Sequence, residues 1–477
     1  MYRYLPLFFL AIPFASLAGD AANASMERGP LRLTLKRAVE LALSPEGNTY
    51  IQLSDENVKQ ARMRSIEARS ALLPDIEAQA AQISQMRSLA ALGLDLATDT
   101  ALFGALGSCT TSICQQIEKP LLDGIISHVP RVVGPYSAVD IRATGAQSLF
   151  NLANIRRYQA SRVAVRAAKD DRGNTDEVVS ATVSKAYLAA LRANADVDAG
   201  EANVALAVAV LKQSENQKEA GTGTGLDVTR SKVQLANEQQ RLLVARNQRT
   251  KAYLQLLRAM GQNLGTDVEL TDKLRFEAVE PVTLEKAKAV AIAKRSDYKA
   301  QSERETAARL NASSVKYERL PNLVAYADYG TTGTDGNIVA LLPTRDYGFE
   351  LRVPIFDGGR RDARRSEAAS QFRQERVKSN DLREQVELDI RIALDSLHSA
   401  EEQVKVAEDG LSLSDSDLTQ TRRRFAAGFA SSLEVTDAQT KLERARDNQI
   451  AALFNYNVAR IDLGQAMGDV EHMIQTQ

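Results

Sequence analysis

Several residue types are scarce in this sequence. It has no tryptophan, its aromatic fraction is 5%, and 12 of its 477 residues are proline. So few aromatic residues are unusual for a globular core, and the scarcity of proline permits long uninterrupted helices. The 60 basic and 61 acidic residues leave a net charge of −1. This balance gives no reason to expect a nucleic-acid partner.

Cysteine and histidine are also too few for most metal sites. The only cysteines are Cys109 and Cys114, and the three histidines are scattered along the chain. A disulfide between Cys109 and Cys114 is plausible in an exported protein, and two free thiols are the alternative. Catalytic motifs such as Gly-x-Ser-x-Gly and His-Glu-x-x-His are absent from the sequence, as is a complete phosphate loop. We therefore expect no enzyme activity, no metal and no cofactor.

The first residues have the pattern of a secretory signal peptide. Arg3 precedes an apolar segment from Leu5 to Ala15, and cleavage is plausible after Ala18 or Ala24. We assign residues 1–24 to this signal. No later apolar run approaches the 18 residues or so of a membrane-spanning helix. Any insertion into a membrane is therefore expected to use strands.

Much of the sequence is an internal duplication. Leu226–Gly261 aligns without a gap onto Leu433–Gly468, with ten of 36 positions identical. Upstream, Leu33–Leu43 recurs as Val282–Ile292. We divide the chain into a first repeat (25–261), a connection (262–281), a second repeat (282–470) and a tail (471–477). A duplicated unit of this length predicts two similar halves with pseudo-symmetry that enclose a space between them.

Each repeat is predicted to contain two short helices, two strands and a long helical hairpin. The hairpins are expected at 151–261 and 360–468, and the strands at about 75–83, 138–145, 322–329 and 347–353. Each strand has one apolar and one charged face, which suits a membrane barrel, although a half-buried soluble sheet is the alternative. Four strands would leave unpaired edges, so other copies must complete the barrel. Three copies give twelve strands and a water-filled conduit, whereas two give an interior filled by side chains.

The long loop between the first two strands, residues 84–135, contains both cysteines. We expect it to be extracellular, with 331–346 as its shorter counterpart. Its apolar stretches fit a plug over the barrel mouth, contact with neighbouring copies, or an ordered lid without a role in transport.

Four motifs resemble those of the TolC-type outer membrane factors. They are Thr-Leu-x-x-Ala-x-x-x-Ala at 34–42 and 283–291, Leu-Pro after the second helix of each repeat, Val353–Arg361, and Gly-x5-[Asp/Glu]-Val at 221–228 and 428–435. The resemblance covers about residues 31–470. It implies a mainly α protein with a small β part, forming a homotrimer with a twelve-stranded β-barrel in outer membrane lipid and a long periplasmic α-barrel.

This resemblance also implies a function and partners. The expected function is the exit duct of an efflux or type I secretion system in a Gram-negative bacterium. Its partners would be a periplasmic adaptor protein and an inner-membrane pump or ABC exporter. The alternative is a periplasmic coiled-coil scaffold without a transport function, which would need no alternating strands and would stay soluble without detergent.

The turns of the two hairpins carry the residues of most interest. Each contains a glycine and a predicted capping box, formed by Gly221, Thr224 and Asp227 in the first hairpin and by Gly428, Ser431 and Glu434 in the second. Helix capping is by itself a sufficient role for these two acids.

The resemblance implies a second role, because hairpin tips of this family converge at the periplasmic entrance. Glu434 and Asp437 share one helix face, so three copies would place up to six carboxylates around a narrow opening that favours cations. In the first hairpin only Asp227 matches, and Arg230 occupies the position of the second acid. One hypothesis for this departure is that Arg230 pairs with an acid of a neighbouring hairpin and so restrains closure.

Overall fold

A computed structural model of the chain describes residues 31–45, 47–88, 132–334 and 341–475. The predicted signal peptide, the pair Cys109 and Cys114, and most of the 84–135 loop lie outside these ranges.

Both halves of the chain have the same order of elements. The first contains β1 (Leu31–Leu33), α1 (Leu35–Leu43), α2 (Thr49–Ser70), β2 (Asp75–Ser88), β3 (Val132–Phe150), α3 (Leu152–Glu219) and α4 (Gly225–Met260). After β4 (Val268–Leu270), the second contains α5 (Leu284–Lys294), α6 (Ser296–Tyr317), β5 (Asn322–Thr334), β6 (Leu342–Arg352), α7 (Arg360–Ala426) and α8 (Ser432–Met467). The short helix α9 (Val470–Gln475) follows.

The four longer strands form one open antiparallel sheet in the order β2-β3-β5-β6. All four extend beyond the segments predicted from alternation, and β6 begins five residues earlier than predicted and ends one residue earlier. The ladder explains this: β3 pairs with both β2 and β5 through small residues such as Gly145, which carry no alternation signal. Within the described residues, β2 and β6 are the edge strands.

The helices α3 and α7 are 68 and 67 residues long. At 1.5 Å per residue each extends roughly 100 Å. Helix α3 begins where the side chain of Asn151 accepts a hydrogen bond from the Asn154 N–H, and no proline interrupts its length. Among the residues described, no helix is long and apolar enough to cross a bilayer.

The main core lies near the middle of the long helices, where the short elements wrap around them. It includes large buried side chains from both halves, among them Leu33, Ile51, Tyr187, Leu256, Met260, Ile390, Ile461 and Leu463. Strands β1 and β4, which are 237 positions apart, pair in parallel beside it. This pairing brings the start of the first repeat to the connection between the repeats.

A buried hydrogen-bond network holds this pairing against α3. Tyr187 is 0% exposed, and its hydroxyl lies 2.9 Å from the Leu33 carbonyl oxygen and 2.8 Å from Oδ2 of Asp272. The same carboxylate accepts the Leu35 N–H at the start of α1. Burial and the neighbouring carboxylate both raise the pKa of Tyr187, so the phenol keeps its proton and remains a donor.

The returning helix of each hairpin ends against the junction of its two short helices. Helix α4 ends at Gly261 (φ 69°) beside Gly47 and Asn48, and α8 ends at Gly468 (φ 69°) beside Arg295. Asn48 Nδ2 donates to the Ala259 carbonyl at 2.7 Å, and Arg295 Nη1 donates to the Ala466 carbonyl at 3.3 Å. Different side chains thus make the same connection at the base of each hairpin.

Candidate functional site

The two hairpin tips have almost the same backbone. Gly221 and Gly428 follow α3 and α7 with φ angles of 75° and 79°. In each turn the next residue donates its N–H to a carbonyl five positions back, from Thr222 to Gln217 and from Phe429 to Arg424. A Cβ on either glycine would meet nothing within 4 Å. Glycine is therefore needed here for its left-handed conformation and not for space.

A capping box begins each returning helix. The Asp227 N–H donates to Thr224 Oγ1 at 3.3 Å, and the Thr224 N–H donates to Oδ2 of Asp227 at 3.1 Å. Ser431 and Glu434 make the same reciprocal pair at 3.3 and 3.0 Å. The backbone N–H of Ser431 is the main cause of the lowered pKa of Glu434, which keeps this carboxylate ionised.

The tips are also joined to each other. The Ser432 hydroxyl donates to Oδ1 of Asp227, a contact between hairpins that we call the tip contact. This hydrogen bond, followed by that from Thr224, lowers the pKa of Asp227. Behind the tip contact, Val210, Phe425 and Val435 form a small buried cluster. The two hairpins of one chain are therefore held together at their ends.

The predicted gate acids of the second hairpin are exposed and have basic neighbours. Glu434 lies 3.7 Å from the Arg424 guanidinium, and Asp437 lies 2.8 Å from Nζ of Lys441. Asp227, the matching acid of the first hairpin, is hydrogen-bonded to Ser432 and is in contact with neither Glu434 nor Asp437. Arg230 is exposed and forms no ion pair with another described residue. Its pairing with an acid of a neighbouring hairpin remains a prediction.

Three residues of this site did not enter the gate predicted from sequence. Lys441 follows Asp437 by four positions, a spacing that brings opposite charges together on a helix and is readable from sequence. Arg424 belongs to a basic run, Arg422–Arg424, that is ordinarily a solvated helix face. Ser432 carries no such signal, because its partner is 205 positions away.

Known proteins resemble this chain in sequence and in fold. The family model for the outer membrane efflux protein matches residues 134–262 and 289–469. No curated protein matches the chain by sequence. The structure of the outer-membrane channel OprN superimposes with a TM-score of 0.73 at 17% identity, over 91% of this chain and 89% of that one.

Two further solved channels have the same fold. The CmeC outer membrane channel of Campylobacter jejuni gives a TM-score of 0.73 at 15% identity, with 92% of this chain and 88% of that chain covered. The outer membrane protein VceC of Vibrio cholerae gives 0.71 at 15% identity, with 91% and 96% covered. At such identities these likenesses concern the fold.

The family match covers most of both repeats, including all four long hairpin helices, and it confirms the resemblance to TolC-type factors. This chain belongs to the outer membrane efflux protein family, and it is an outer membrane protein of a Gram-negative cell whose long helices extend into the periplasm.

Proposed function

We propose that three copies of this chain form an outer membrane exit duct of a tripartite efflux or type I secretion system. Substrates pass from the periplasm to the outside, and the partners are a periplasmic adaptor protein and an inner-membrane pump or ABC exporter. The observation that carries the proposal is an open sheet of four strands continuous with helices of roughly 100 Å. A single chain leaves the edges of its sheet unpaired and apolar side chains of its long helices exposed.

The sheet needs further copies because its edges are unpaired. In a bilayer no water satisfies the N–H and carbonyl groups of β2 and β6, so the sheet must close on other copies. On β6 the exposed side chains of Tyr347, Phe349 and Leu351 share one face, while Glu350 and Arg352 lie on the other. This alternation suits lipid outside and water inside, and twelve strands leave room for a conduit.

The helices support the same closure. Among the four hairpin helices, α3 packs mainly against α4 and α8, and α8 packs mainly against α7 and α3, so α4 and α7 are the outer helices of the layer. Both carry exposed apolar residues at coiled-coil spacing, namely Leu226, Val233 and Val244 on α4, and Ile392, Val406 and Leu413 on α7. One outer helix meeting the other on the next copy produces a closed ring.

The tips would form the periplasmic gate of this duct. Three copies of Glu434 and Asp437 give a ring of carboxylates, each restrained by its basic neighbour, Arg424 or Lys441. Asp227 and Ser432 join the hairpins beside this ring. A ring of this charge attracts cations and repels anions.

The gate acids are tested by ion selectivity. In planar bilayers the combined variant Glu434→Gln and Asp437→Asn should reduce the ratio of cation to anion permeability by about threefold or more. The matched control is Glu408→Gln with Asp409→Asn, which removes two exposed acids of α7 far from the tip. Unchanged selectivity in the gate variant would show that Glu434 and Asp437 do not form a selective ring. A chain that forms no conducting trimer and stays in solution without detergent would support the scaffold alternative.

The tip contact is tested by conductance. Replacing Ser432 by alanine removes the donor to Asp227, so the closed arrangement of the hairpins loses stability and the open fraction rises by about fivefold. The control is Thr440→Ala, because the Thr440 hydroxyl donates to the Thr436 carbonyl within its own helix. If both variants conduct like the unmodified protein, the tip contact does not restrain the gate.

A further inference from the structure

The helix ends next to the sheet carry an excess of positive charge. The chain as a whole has 60 basic and 61 acidic residues. The last seven residues of α2 and α6 and the first seven of α3 and α7 instead hold nine basic residues and two acidic ones, Glu67 and Asp362. Each of these helix ends is joined to its strand by a connection of one to seven residues. The positive charge therefore lies where the sheet meets the periplasmic helices.

Ion pairs within the chain balance only part of this charge. Arg157 and Arg364 both lie 3.4 Å from Glu318, so one carboxylate faces two guanidinium groups. Arg361 lies 2.9 Å from Asp357. Five further cations are exposed and form no ion pair with another described residue, namely Arg64, Arg69, Lys316, Arg360 and Arg365. We call these five side chains the basic collar.

Exposed apolar side chains lie between the basic collar and the strands. Leu73 separates the end of α2 from β2, and Leu320 separates the end of α6 from β5; both are exposed. Between β6 and α7, Ile355 and Phe356 are 95% and 88% exposed. Apolar side chains this accessible mark a surface that meets another apolar phase. At three of the four connections, the order is therefore strand, apolar side chain and unpaired cation.

This order matches the layers of one membrane leaflet. Hydrocarbon gives way to a headgroup layer roughly 5–8 Å thick. Arg365 is five positions into α7, or roughly 8 Å along the helix axis, and a long side chain can extend back towards the headgroups. A guanidinium group binds phosphate through paired hydrogen bonds, and cations beside a membrane are attracted to anionic lipids. The apolar residues thus fit acyl chains, and the basic collar fits lipid phosphates.

Contacts between copies would leave most of this charge unbalanced. At the level of the collar α3 packs against α2 and α6, and α6 packs against α7, so α2 and α7 are the outer helices. They carry four of the five collar residues and would face each other across a ring of copies. Among the described residues of these two helix ends, Glu67 is the one acid without an ion pair. One carboxylate cannot balance four cations, which favours an anionic partner from outside the protein.

We propose that the basic collar binds the phosphate groups of anionic phospholipids in the leaflet that faces the periplasm. The adjacent apolar side chains enter the acyl region, and the bound lipids fix the depth at which the helices leave the membrane. This inference rests on the proposed function, because that function places the sheet in the outer membrane. It requires neither the gate acids nor a particular substrate.

Thermal unfolding of the full-length protein in an uncharged detergent tests the choice of lipid. Added phosphatidylglycerol should raise the melting temperature by about 5 °C, and phosphatidylcholine by about 1 °C, because only the first has a net negative charge. Inorganic phosphate should have no such effect, since it offers nothing to the apolar side chains. Equal stabilisation by the two lipids, or by inorganic phosphate, would overturn the proposal.

Substitutions in the basic collar test the residues themselves. Arg360→Gln with Arg365→Gln should weaken phosphatidylglycerol binding by about tenfold in a titration followed by native mass spectrometry. The matched control is Arg376→Gln with Arg383→Gln, which removes two exposed arginines of the same helix. Arg376 lies 16 positions beyond Arg360, or roughly 24 Å further from the sheet. Equal binding by these two variants would contradict the proposal.

A second pair of substitutions guards against a local folding defect of α7. Arg69→Gln with Lys316→Gln changes α2 and α6 instead, and should give a similar loss of binding. If either variant separates into single chains in lipid-free detergent while the unmodified protein does not, the collar serves contacts between copies and the lipid proposal fails. If the preference for phosphatidylglycerol is found in a protein that does not conduct, the collar stands and the duct fails. If a conducting trimer shows no such preference, the duct stands and the collar fails.

Discussion

Replacing Gly261 by alanine should remove about 3–5 kcal/mol from the stability of the folded chain. The residue has a φ of 69°, and a Cβ there would lie 2.7 Å from the carbonyl carbon of Gly47 and 3.2 Å from Cα of Asn48. The backbone at this junction cannot easily move away from the added Cβ, because Asn48 is held by two hydrogen bonds. Its side chain donates to the Ala259 carbonyl, and its N–H donates to the Ala42 carbonyl. The energetic cost of a left-handed alanine and the cost of the steric overlap therefore add to give the expected loss of stability.

Gly221→Ala separates these two costs. Gly221 has a φ of 75°, but a Cβ would meet nothing within 4 Å, so only the conformational cost of about 1 kcal/mol remains. Gly468→Ala should resemble Gly261→Ala, because its Cβ would lie 2.8 Å from the backbone N and Cα of Arg295. Denaturant unfolding in detergent measures all three variants. Equal losses for Gly221→Ala and Gly261→Ala would show that crowding at the hairpin base is not the cause.

Replacing Arg295 by methionine should cost about 3–5 kcal/mol, the second of the two largest effects. The Arg295 side chain is 11% exposed and lies between Asp297 at 2.7 Å and Asp389 at 2.9 Å. It also donates to the Ala466 carbonyl at the end of α8. Methionine fills similar volume but leaves two carboxylates and a helix end without their cation.

The loss in Arg295→Met should depend on pH. Burial alone would raise the pKa of Asp297, but the hydrogen bond and charge of Arg295 outweigh it, and the pKa is lowered. The stability from this pair is therefore present above the ordinary pKa of an aspartate and is lost as the pH falls through the lowered value. We expect the deficit of the variant to be largest near neutral pH and to shrink below about pH 4.

The control for Arg295→Met is the same change at Arg309, an exposed arginine of α6. It should alter the free energy of unfolding by less than about 0.5 kcal/mol. Adding Asp389→Asn to Arg295→Met should restore part of the stability, because one uncompensated charge disappears. A deficit no larger than that of Arg309→Met would contradict a structural role for Arg295.

The sequence was most informative where the physical cause is local. A helix cap needs only neighbouring residues, so Thr224 with Asp227 and Ser431 with Glu434 could be found from spacing alone. The ends of β3 could not, because its outer residues are extended through pairing with β2 and β5 and not through their own alternation.

The contacts between hairpins show the same limit more sharply. Glu238 on α4 has the sequence surroundings of a solvated helix residue, yet it is 4% exposed in the folded chain. The partnership of Ser432 with Asp227 depends on how two helices from different repeats are aligned. Such alignment is set by the whole core, so no short pattern contains it.

The length of α3 beyond its buried anchor has a mechanical consequence. From Tyr187 to Glu219 the helix continues for 32 residues without a proline. At 1.5 Å per residue this is a rigid arm of roughly 50 Å. A tilt of about 5° at the anchor displaces its far end by roughly 4 Å, more than the diameter of a water molecule. In the proposed duct, a small change of angle at the Tyr187 anchor would therefore be enough to change whether water passes between the hairpin tips.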